Sequence, residues 1–145
     1  MNKSIKTEIV INASREKVWN ILTDFDKYPK WNPFIIKIEG ELVKGKKLTN
    51  TMLNGGKKFV FKPTILSVIP HQYFDWLGKL FIPGIFDGHH YFEIDELSSN
   101  QIKLTQGEHF SGILSTSILK KIGNDTRNNF IKMNQAVKAL AENSN

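Results

Sequence analysis

The sequence predicts an α+β fold in which a curved antiparallel sheet of about seven strands grips a long C-terminal helix. Alternating apolar and polar residues, typical of half-buried strands, fill most of residues 34–110. The turns between these strands are short, which requires antiparallel pairing because parallel neighbours need long crossovers. From about Ser115 onward, apolar residues recur at three- and four-residue steps, the spacing of one buried helix face.

The N-terminal part predicts a strand followed by two short helices. Ser4–Ile11 is rich in β-branched residues and is the first strand. Ser14 can cap the next helix, and Glu16 lies in its first turn, where the helix dipole favours negative charge. Asp24–Pro33 contains two prolines and is expected to be loop or broken helix, because each proline disfavours helix at the residue before it.

Six further strands are expected, separated by glycine, asparagine and proline turns. They begin at Phe34 and continue with Leu48–Leu53, Phe59–Ile69, Tyr73–Leu80, Gly88–Leu97 and Gln101–Phe110. Pro63 indicates an edge position or a bulge in its strand, since proline cannot donate to the ladder. Gly123 interrupts the C-terminal helix and predicts a kink or two abutting helices.

The composition is that of a globular protein expected to form one domain over residues 1–145. Hydrophobic residues make up 40% and charged residues 23% of the chain. No apolar run approaches the roughly 20 residues that cross a bilayer, so stable membrane insertion is not expected. There is no cysteine, which excludes disulfides and thiolate chemistry. The first residues lack the features of a secretory signal, and a cytoplasmic location is predicted. Oligomeric state is not predicted.

The formal net charge of +6 raises the question of nucleic-acid binding. The lysines are scattered, however, with Lys44, Lys46 and Lys47 beside a glycine turn and Lys120 and Lys121 on the predicted helix. There is no sustained basic stripe and no ladder of aromatic residues for base stacking. We therefore predict no nucleic-acid partner.

One pair of residues in the sequence, His90 and Glu108, has the residue types of a site for acid–base chemistry. An antiparallel register around the Ser98–Asn100 turn pairs Leu97 with Gln101, Ile94 with Leu104, Phe92 with Gln106 and His90 with Glu108. The even-numbered residues then share the apolar face, so His90 and Glu108 point inward together. Their Cβ atoms would lie roughly 5 Å apart, within reach of a hydrogen bond.

Three interpretations of this pair remain open. His90 and Glu108, with Gln106 beside them, could abstract a proton next to a carbonyl group. They could instead satisfy each other as a structural pair at the edge of the core. They could also anchor the polar head of a ligand whose tail lies among aromatic residues.

A metal site or cofactor is not predicted. His89 and His109 have the opposite strand parity from His90, so they are expected to face each other on the outer side of the sheet. Such a surface pair could take up added nickel or zinc only adventitiously. The sequence also has no phosphate-binding glycine loop, no dinucleotide fingerprint and no serine nucleophile motif.

Several segments together resemble the START-like, or SRPBCC, superfamily, whose helix-grip fold is shared by polyketide cyclases, lipid-transfer domains and pollen allergens. The segments are Ala13–Trp19, Tyr28–Phe34, Trp76–Gly78, Gly88–Glu93, Gly107–Gly112 and Phe130 with Met133–Asn134. The resemblance covers nearly the whole chain and agrees with the order of elements deduced above.

The resemblance implies a tunnel between the sheet and the closing helix for a small hydrophobic or amphipathic molecule. The expected ligand-binding residues are Trp31, Phe34, Phe59, Phe61, Trp76, His90, Phe92, Gln106, Glu108, Phe110 and Met133. Phe81–Phe86 is predicted to gate the tunnel. Because the fold serves several functions, two alternatives stay open: a cyclase, dehydratase or isomerase using His90 and Glu108, and a protein-interaction module resembling chaperone regulators.

Overall fold

A computed structural model gives the fold of residues 3–80 and 82–143. The strands are β1 (Ser4–Ile11), β2 (Ile35–Glu39), β3 (Thr49–Asn54), β4 (Lys57–Phe61), β5 (Thr64–Ile69), β6 (Tyr73–Leu80), β7 (Phe86–Ser98) and β8 (Gln101–Ser111). The helices are α1 (Arg15–Thr23), α2 (Tyr28–Trp31) and α3 (Ser115–Asn143), with a 3-10 turn at Phe25–Lys27. The predicted α+β class, with antiparallel strands and a long final helix, is confirmed.

The strands form two antiparallel sheets, one of five strands in the order β1-β8-β7-β6-β5 and one of three strands in the order β2-β3-β4. Two hydrogen bonds of 2.9 Å connect them, from Leu48 N to the Pro63 carbonyl and from Ile65 N to the Lys46 carbonyl. The described chain has eight strands instead of about seven, because the predicted strand Phe59–Ile69 divides at Pro63. Proline lacks the N–H that would have continued the ladder.

The N-terminal elements form as their sequence predicts. Ser14 caps α1, its hydroxyl oxygen accepting from Lys17 N at 3.2 Å. The segment with two prolines is broken helix, made of the 3-10 turn and the short α2. The Asn32 side-chain oxygen then accepts from the main-chain N–H groups of Phe34 and Ile35, both at 2.9 Å. This turn sets the direction in which β2 begins.

Helix α3 covers the concave side of the sheets. It runs unbroken through Gly123, so two abutting helices do not form, and the alternative of a kink at Gly123 stays a prediction. The propensity cost of one glycine, about 1 kcal/mol, is outweighed by burial of Leu119 before it and of Phe130, Met133 and Val137 after it. From Phe130 onward the helix packs solidly against the sheet.

Candidate functional site

A cavity of about 340 Å³ lies between the two sheets, beside the first half of α3. Its wall is mostly apolar, and several polar groups are present. The lining residues are Phe34, Asn50, Met52, Asn54, Gly55, Lys57, Phe59, Phe61, Pro63, Trp76, Gly78, Phe86, Gly88, Glu108, Phe110, Ile122, Asp125 and Thr126. The cavity ends where the buried half of α3 begins, since the described lining residues on α3 stop at Thr126.

The structure brings six of the eleven predicted site residues to this wall. They are Phe34, Phe59, Phe61, Trp76, Glu108 and Phe110. Phe92 and Met133 face inward but lie in the filled part of the core, with 1% and 0% of their surface exposed. Trp31 packs on Tyr28 in α2, with ring centroids 5.0 Å apart, and does not line the cavity. His90 and Gln106 lie behind the wall.

Glu108 presents a carboxylate to the cavity. Its side chain is 16% exposed, and its Oε1 lies 2.9 Å from Nδ1 of His90, the residue opposite it in the β7–β8 register. Oε2 occupies the place where a side chain on Gly88 would begin, because a Cβ built there would overlap it. The carboxylate therefore has room only because residue 88 is a glycine.

His90 is enclosed by aromatic rings. Its own ring stacks on Trp76, the residue opposite it in the β6–β7 register, with centroids 5.2 Å apart and planes 19° apart. Phe92 and Phe130 contact it from other sides, each with centroids 4.9 Å away. Only 1% of the residue is exposed. Any proton that His90 exchanges with the cavity must therefore pass through Glu108.

Buried hydrogen bonds connect His90 to α3 and β1. His90 Nε2 lies 3.0 Å from Gln106 Oε1. Gln106 Nε2 donates to Asn134 Oδ1 at 2.7 Å, and Asn134 Nδ2 donates to Thr7 Oγ1 at 2.8 Å. The Thr7 hydroxyl donates to the main-chain carbonyl of Gln106 at 2.8 Å. These groups hold four elements of the fold together.

The main-chain carbonyl of Gln106, at the end of this series of hydrogen bonds, determines which group donates and which accepts in each bond. Because a carbonyl only accepts, Thr7 uses its one hydrogen there, and its oxygen can only accept from Asn134. The Asn134 oxygen therefore faces the Gln106 amide nitrogen. Gln106 then turns its own oxygen toward His90, which requires a hydrogen on His90 Nε2.

With a hydrogen on His90 Nε2, the remaining question is how His90 and Glu108 share the proton between them. The bond of 2.9 Å between Nδ1 and Oε1 requires one hydrogen between the two atoms. With the hydrogen on Nδ1 the pair is imidazolium and carboxylate, and with it on Glu108 both groups are neutral. The pair has no net charge in either state, and one transferable proton lies at the cavity wall. Such a pair can exchange a proton with a bound molecule or hydrogen-bond to it.

Asn50 is a site residue that the sequence analysis missed. It lies on β3, lines the cavity and is 0% exposed, and neither its Oδ1 nor its Nδ2 has a hydrogen-bond partner in the described part of the chain. A signal was available, since Asn50 has the same strand parity as Leu48, which is 1% exposed. A polar residue at an inward strand position, where asparagine is disfavoured, indicates a special role.

One side of the cavity is bordered by polar residues of β3 and α3. Asn54 Nδ2 donates to Thr126 Oγ1 at 3.3 Å, and Asn129 Nδ2 donates to Asn54 Oδ1 at 3.2 Å. Lys57 and Asp125 line the same region. The amides of Asn54 and Asn129 are thus occupied within the protein, unlike that of Asn50.

The predicted gate lies partly outside the described residues, because Phe81 is not among them. The following turn, residues 82–85, is hydrogen-bonded to the segment before α3: Ile113 N donates to the Gly84 carbonyl at 2.9 Å and Leu114 N to the Ile85 carbonyl at 3.0 Å. Phe86, at the start of β7, lines the cavity. Gating by this loop stays a prediction.

The outer face of the five-stranded sheet carries a separate polar cluster. His89 and His109 lie opposite each other there, with ring centroids 5.8 Å apart, as their parity predicts. His89 Nε2 lies 2.6 Å from Asp75 Oδ2, to which the Tyr73 hydroxyl also donates at 2.9 Å. Burial, and then this bond, raises the pKa of Tyr73. No group of three or more His, Asp or Glu residues suited to holding a metal occurs in residues 3–80 and 82–143.

The fold is shared with many solved structures. Protein CV1439 of Chromobacterium violaceum is 18% identical, with a TM-score of 0.78, over 99% of this chain and 100% of that one. An aromatase/cyclase, Zhui, of Streptomyces sp. R1128 is 15% identical, with a TM-score of 0.77, over 96% and 93%. Norcoclaurine synthase of Thalictrum flavum, solved with dopamine and hydroxybenzaldehyde, is 15% identical, with a TM-score of 0.74, over 100% and 90%. At these identities the likeness shows the fold and carries no activity with it.

Comparison at the sequence level defines the family. No curated protein matches the chain. Within the described residues, no helix combines the length and the apolarity that crossing a membrane requires. The model of the family described as polyketide cyclase / dehydrase and lipid transport matches residues 3–130. The chain therefore belongs to this family, within the START-like superfamily that its sequence resembles.

Proposed function

We propose that the protein binds a small hydrophobic or amphipathic molecule in the cavity between its sheets. The observation that carries the proposal is the cavity itself, about 340 Å³ with aromatic walls and with the Glu108 carboxylate facing it. Small-molecule sites are concave, roughly 300–1,000 Å³ in volume and mostly apolar, with a few polar groups that fix orientation. In a packed interior, voids larger than a water molecule are few.

The walls suggest how such a molecule lies. Its apolar body would contact Phe34, Phe59, Phe61, Trp76 and Phe110, all of which line the cavity. A hydrogen-bonding group would face the Glu108 carboxylate. In this arrangement the predicted residues His90 and Gln106 position Glu108 from behind, and Phe92 and Met133 support the wall without contacting the ligand.

Binding can be tested with 2-naphthol, an uncharged probe of suitable size. The wild-type protein should bind it saturably, with quenching of tryptophan fluorescence and a rise in Tm, because a ligand that binds only the folded state stabilises it. In Gly78→Leu the added side chain grows into the cavity, where the closest atoms to a Cβ are 3.8 Å away on Pro63, and binding should be lost.

Gly123→Leu is the matched control, since it adds the same side chain on α3 where nothing lies within 4 Å of a Cβ. This variant should bind 2-naphthol as the wild type does. Absence of saturable binding to the wild type, or equal binding to Gly78→Leu and the wild type, would contradict the proposal.

A second candidate function is proton-transfer catalysis, favoured by the single proton between His90 and Glu108. In the imidazolium–carboxylate state, Glu108 can accept a proton from a carbon next to a carbonyl group, and His90 keeps a positive charge near the resulting enolate. The atoms and charges then balance without any cofactor. The third alternative, a chaperone-regulator-like module, should have a nearly closed cavity, because it would bind a protein partner on its surface; an aromatic cavity of about 340 Å³ does not favour it.

The catalytic alternative has a direct test in 2-tetralone, whose hydrogens next to the carbonyl exchange with D₂O. An enzyme of this kind should accelerate the exchange, as followed by NMR. Glu108→Gln should abolish the acceleration, because an amide cannot take the proton, and it should retain 2-naphthol binding. A wild-type rate equal to that of buffer would remove support for this reaction and leave the binding proposal intact.

A further inference from the structure

Two neighbouring loops display apolar side chains to solvent. Ile113 and Ile82 are the most exposed large hydrophobic residues in the described part of the chain, at 80% and 66%, and Leu114 is exposed as well. Single exposed apolar residues are common on protein surfaces, but a cluster of them indicates an interaction site. We call Ile82, Ile113 and Leu114 together the apolar tip.

Main-chain hydrogen bonds hold the two loops together. Ile113 N donates to the Gly84 carbonyl at 2.9 Å, and Leu114 N donates to the Ile85 carbonyl at 3.0 Å. Gly112, with a φ of +110°, permits this approach, because a Cβ there would lie 2.4 Å from the Ile85 carbonyl oxygen. The apolar side chains are therefore displayed by a backbone that is fixed in place.

The apolar tip lies beside the cavity. Phe86 follows Ile82 by four residues, Phe110 precedes Ile113 by three, and both phenylalanines line the cavity. Their rings stack with centroids 5.4 Å apart and planes 4° apart. Strands β7 and β8 thus lead directly from the cavity wall into the two exposed loops.

The segments around the cavity are basic. Residues 54–63, 78–88 and 110–126, which supply most of the cavity lining, contain six lysines and two acidic residues. One of the acids, Asp87, already accepts from Gly84 N at 3.2 Å. The lysines are scattered in the sequence, but the fold places their segments around one cavity. All six are exposed: Lys57, Lys58, Lys62, Lys79, Lys120 and Lys121.

We propose that the apolar tip and these lysines form a docking surface for an anionic lipid bilayer, with the cavity directed toward the membrane. The isoleucines enter the boundary of the acyl chains, and the lysines contact the phosphate headgroups. A nucleic acid would satisfy the lysines but would offer no apolar partner to the tip. This inference goes beyond the proposed function, because docking requires no ligand in the cavity.

The test is co-sedimentation with vesicles made of equal parts of phosphatidylcholine and phosphatidylglycerol. The wild-type protein should bind them, and it should bind much more weakly to phosphatidylcholine alone or at high salt. Ile82→Ser combined with Ile113→Ser should weaken binding by at least about tenfold. Leu97→Ser is the matched control and should bind as the wild type does, since Leu97 is 54% exposed but lies eleven residues from Phe86 along β7.

Two lysines of α3 test the contribution of charge. Lys121 and Lys132 are both exposed and lie about three turns apart on the same side of the helix. Lys121→Gln should weaken vesicle binding by about fivefold. Lys132→Gln should weaken it much less, because Lys132 lies about 16 Å farther along the helix from the tip, beyond the screening length at physiological salt.

The wild-type protein can also be tested without any substitution. In nanodiscs of the same anionic lipids that contain a spin-labelled lipid, the methyl NMR signals of Ile82 and Ile113 should broaden. The methyl signals of Ile69, which is 48% exposed at the far end of β5, should stay sharp.

The outcomes separate docking from the proposed function. If the wild type ignores anionic vesicles but binds 2-naphthol, docking is wrong and the binding function stands; vesicle binding without 2-naphthol binding means the reverse. Equal vesicle binding by the isoleucine variant and the wild type would overturn the role of the apolar tip. A wild-type dimer that the same variant converts to monomer, with no binding to vesicles, would assign the tip to self-association and overturn the proposal too.

Discussion

The substitution Gly88→Ala is expected to disconnect Glu108 from His90. A Cβ on residue 88 would overlap Glu108 Oε2. Because that atom is the end of a flexible side chain, the carboxylate will move and the strand will stay in place. The bond of 2.9 Å between Glu108 and His90 is then lost, and His90 Nδ1 remains buried without a partner.

The change in the free energy of unfolding expected for Gly88→Ala is the sum of two opposing contributions. A hydrogen bond to a charged group contributes about 1.5–3 kcal/mol to stability. Alanine restricts the unfolded chain more than glycine does, and this stabilises the folded protein by about 0.4–1 kcal/mol where the backbone accepts alanine. Gly88 is not among the residues with positive φ, so its backbone accepts alanine. The free energy of unfolding should therefore fall by about 1–2 kcal/mol.

Gly78→Ala is the matched comparison, since Gly78 pairs with Gly88 in the β6–β7 register and also lines the cavity. The nearest atoms to a Cβ there are 3.8 and 3.9 Å away, which is ordinary contact. This variant should gain about 0.4–1 kcal/mol. Urea unfolding followed by tryptophan fluorescence measures both effects.

A double-mutant cycle decides whether the carboxylate is the cause. In a Glu108→Ala background there is no Oε2 to overlap, so adding Gly88→Ala should cost nothing or stabilise slightly. If Gly88→Ala costs the same amount with and without the Glu108 carboxylate, the steric argument is refuted. An unchanged His90 NMR signal in Gly88→Ala would refute it independently.

Three further predictions concern stability in the absence of ligand. Asn50→Leu should raise the free energy of unfolding by about 1–3 kcal/mol in urea, because it removes an unpaired buried amide; a loss of stability would mean that the amide is satisfied in solution. Gln106→Leu should lower it by about 2–4 kcal/mol, since it leaves His90 Nε2 and its neighbours unpaired; a loss below about 1 kcal/mol would show that the buried bonds are not continuous. The hydrogen bond from the Asn12 main-chain N–H lowers the pKa of Glu142, so its contribution is complete above the ordinary value of 4.5 and is lost as pH falls through the lowered value. In Glu142→Gln, the unfolding free energy should therefore fall less steeply below pH 4.5 than in the wild type.

Local patterns predicted the fold and the pairing of His90 with Glu108 because both depend on periodicity and on one hairpin. The β7–β8 register follows from the turn, although an irregularity between Glu96 and Ser98 places Ser98, and not Leu97, opposite Gln101. The inward parity of the strand survives this shift, since the apolar pattern determines which face is buried. A prediction based on parity thus tolerates an error of one residue at the turn.

Strand parity and helical spacing could not predict how deep the cavity is. Parity places Phe92 and Met133 inward but does not say whether the space before them is filled, which depends on the separation of two sheets and a helix. In the structure Phe130 closes that space, with its ring 4.9 Å from that of His90. Asn50 was missed for a related reason. Strand parity places this asparagine inward, but only the assembled structure shows that it has no hydrogen-bond partner among the described residues.

The position of the cavity follows from where side chains are missing. Two inward-facing glycines, Gly78 and Gly88, lie opposite each other on neighbouring strands, and only part of that volume is taken up by Glu108. At the other end of the same face, Phe92 and Phe130 fill the interior. Polar groups follow a similar division: His90, Gln106, Asn134 and Thr7 at the filled end bond one another, and Asn50 beside the cavity has no partner among the described residues. Because the filled end is packed and hydrogen-bonded while the other end keeps an aromatic cavity, and because unmet local requirements are expected at functional sites, we place function at the open end.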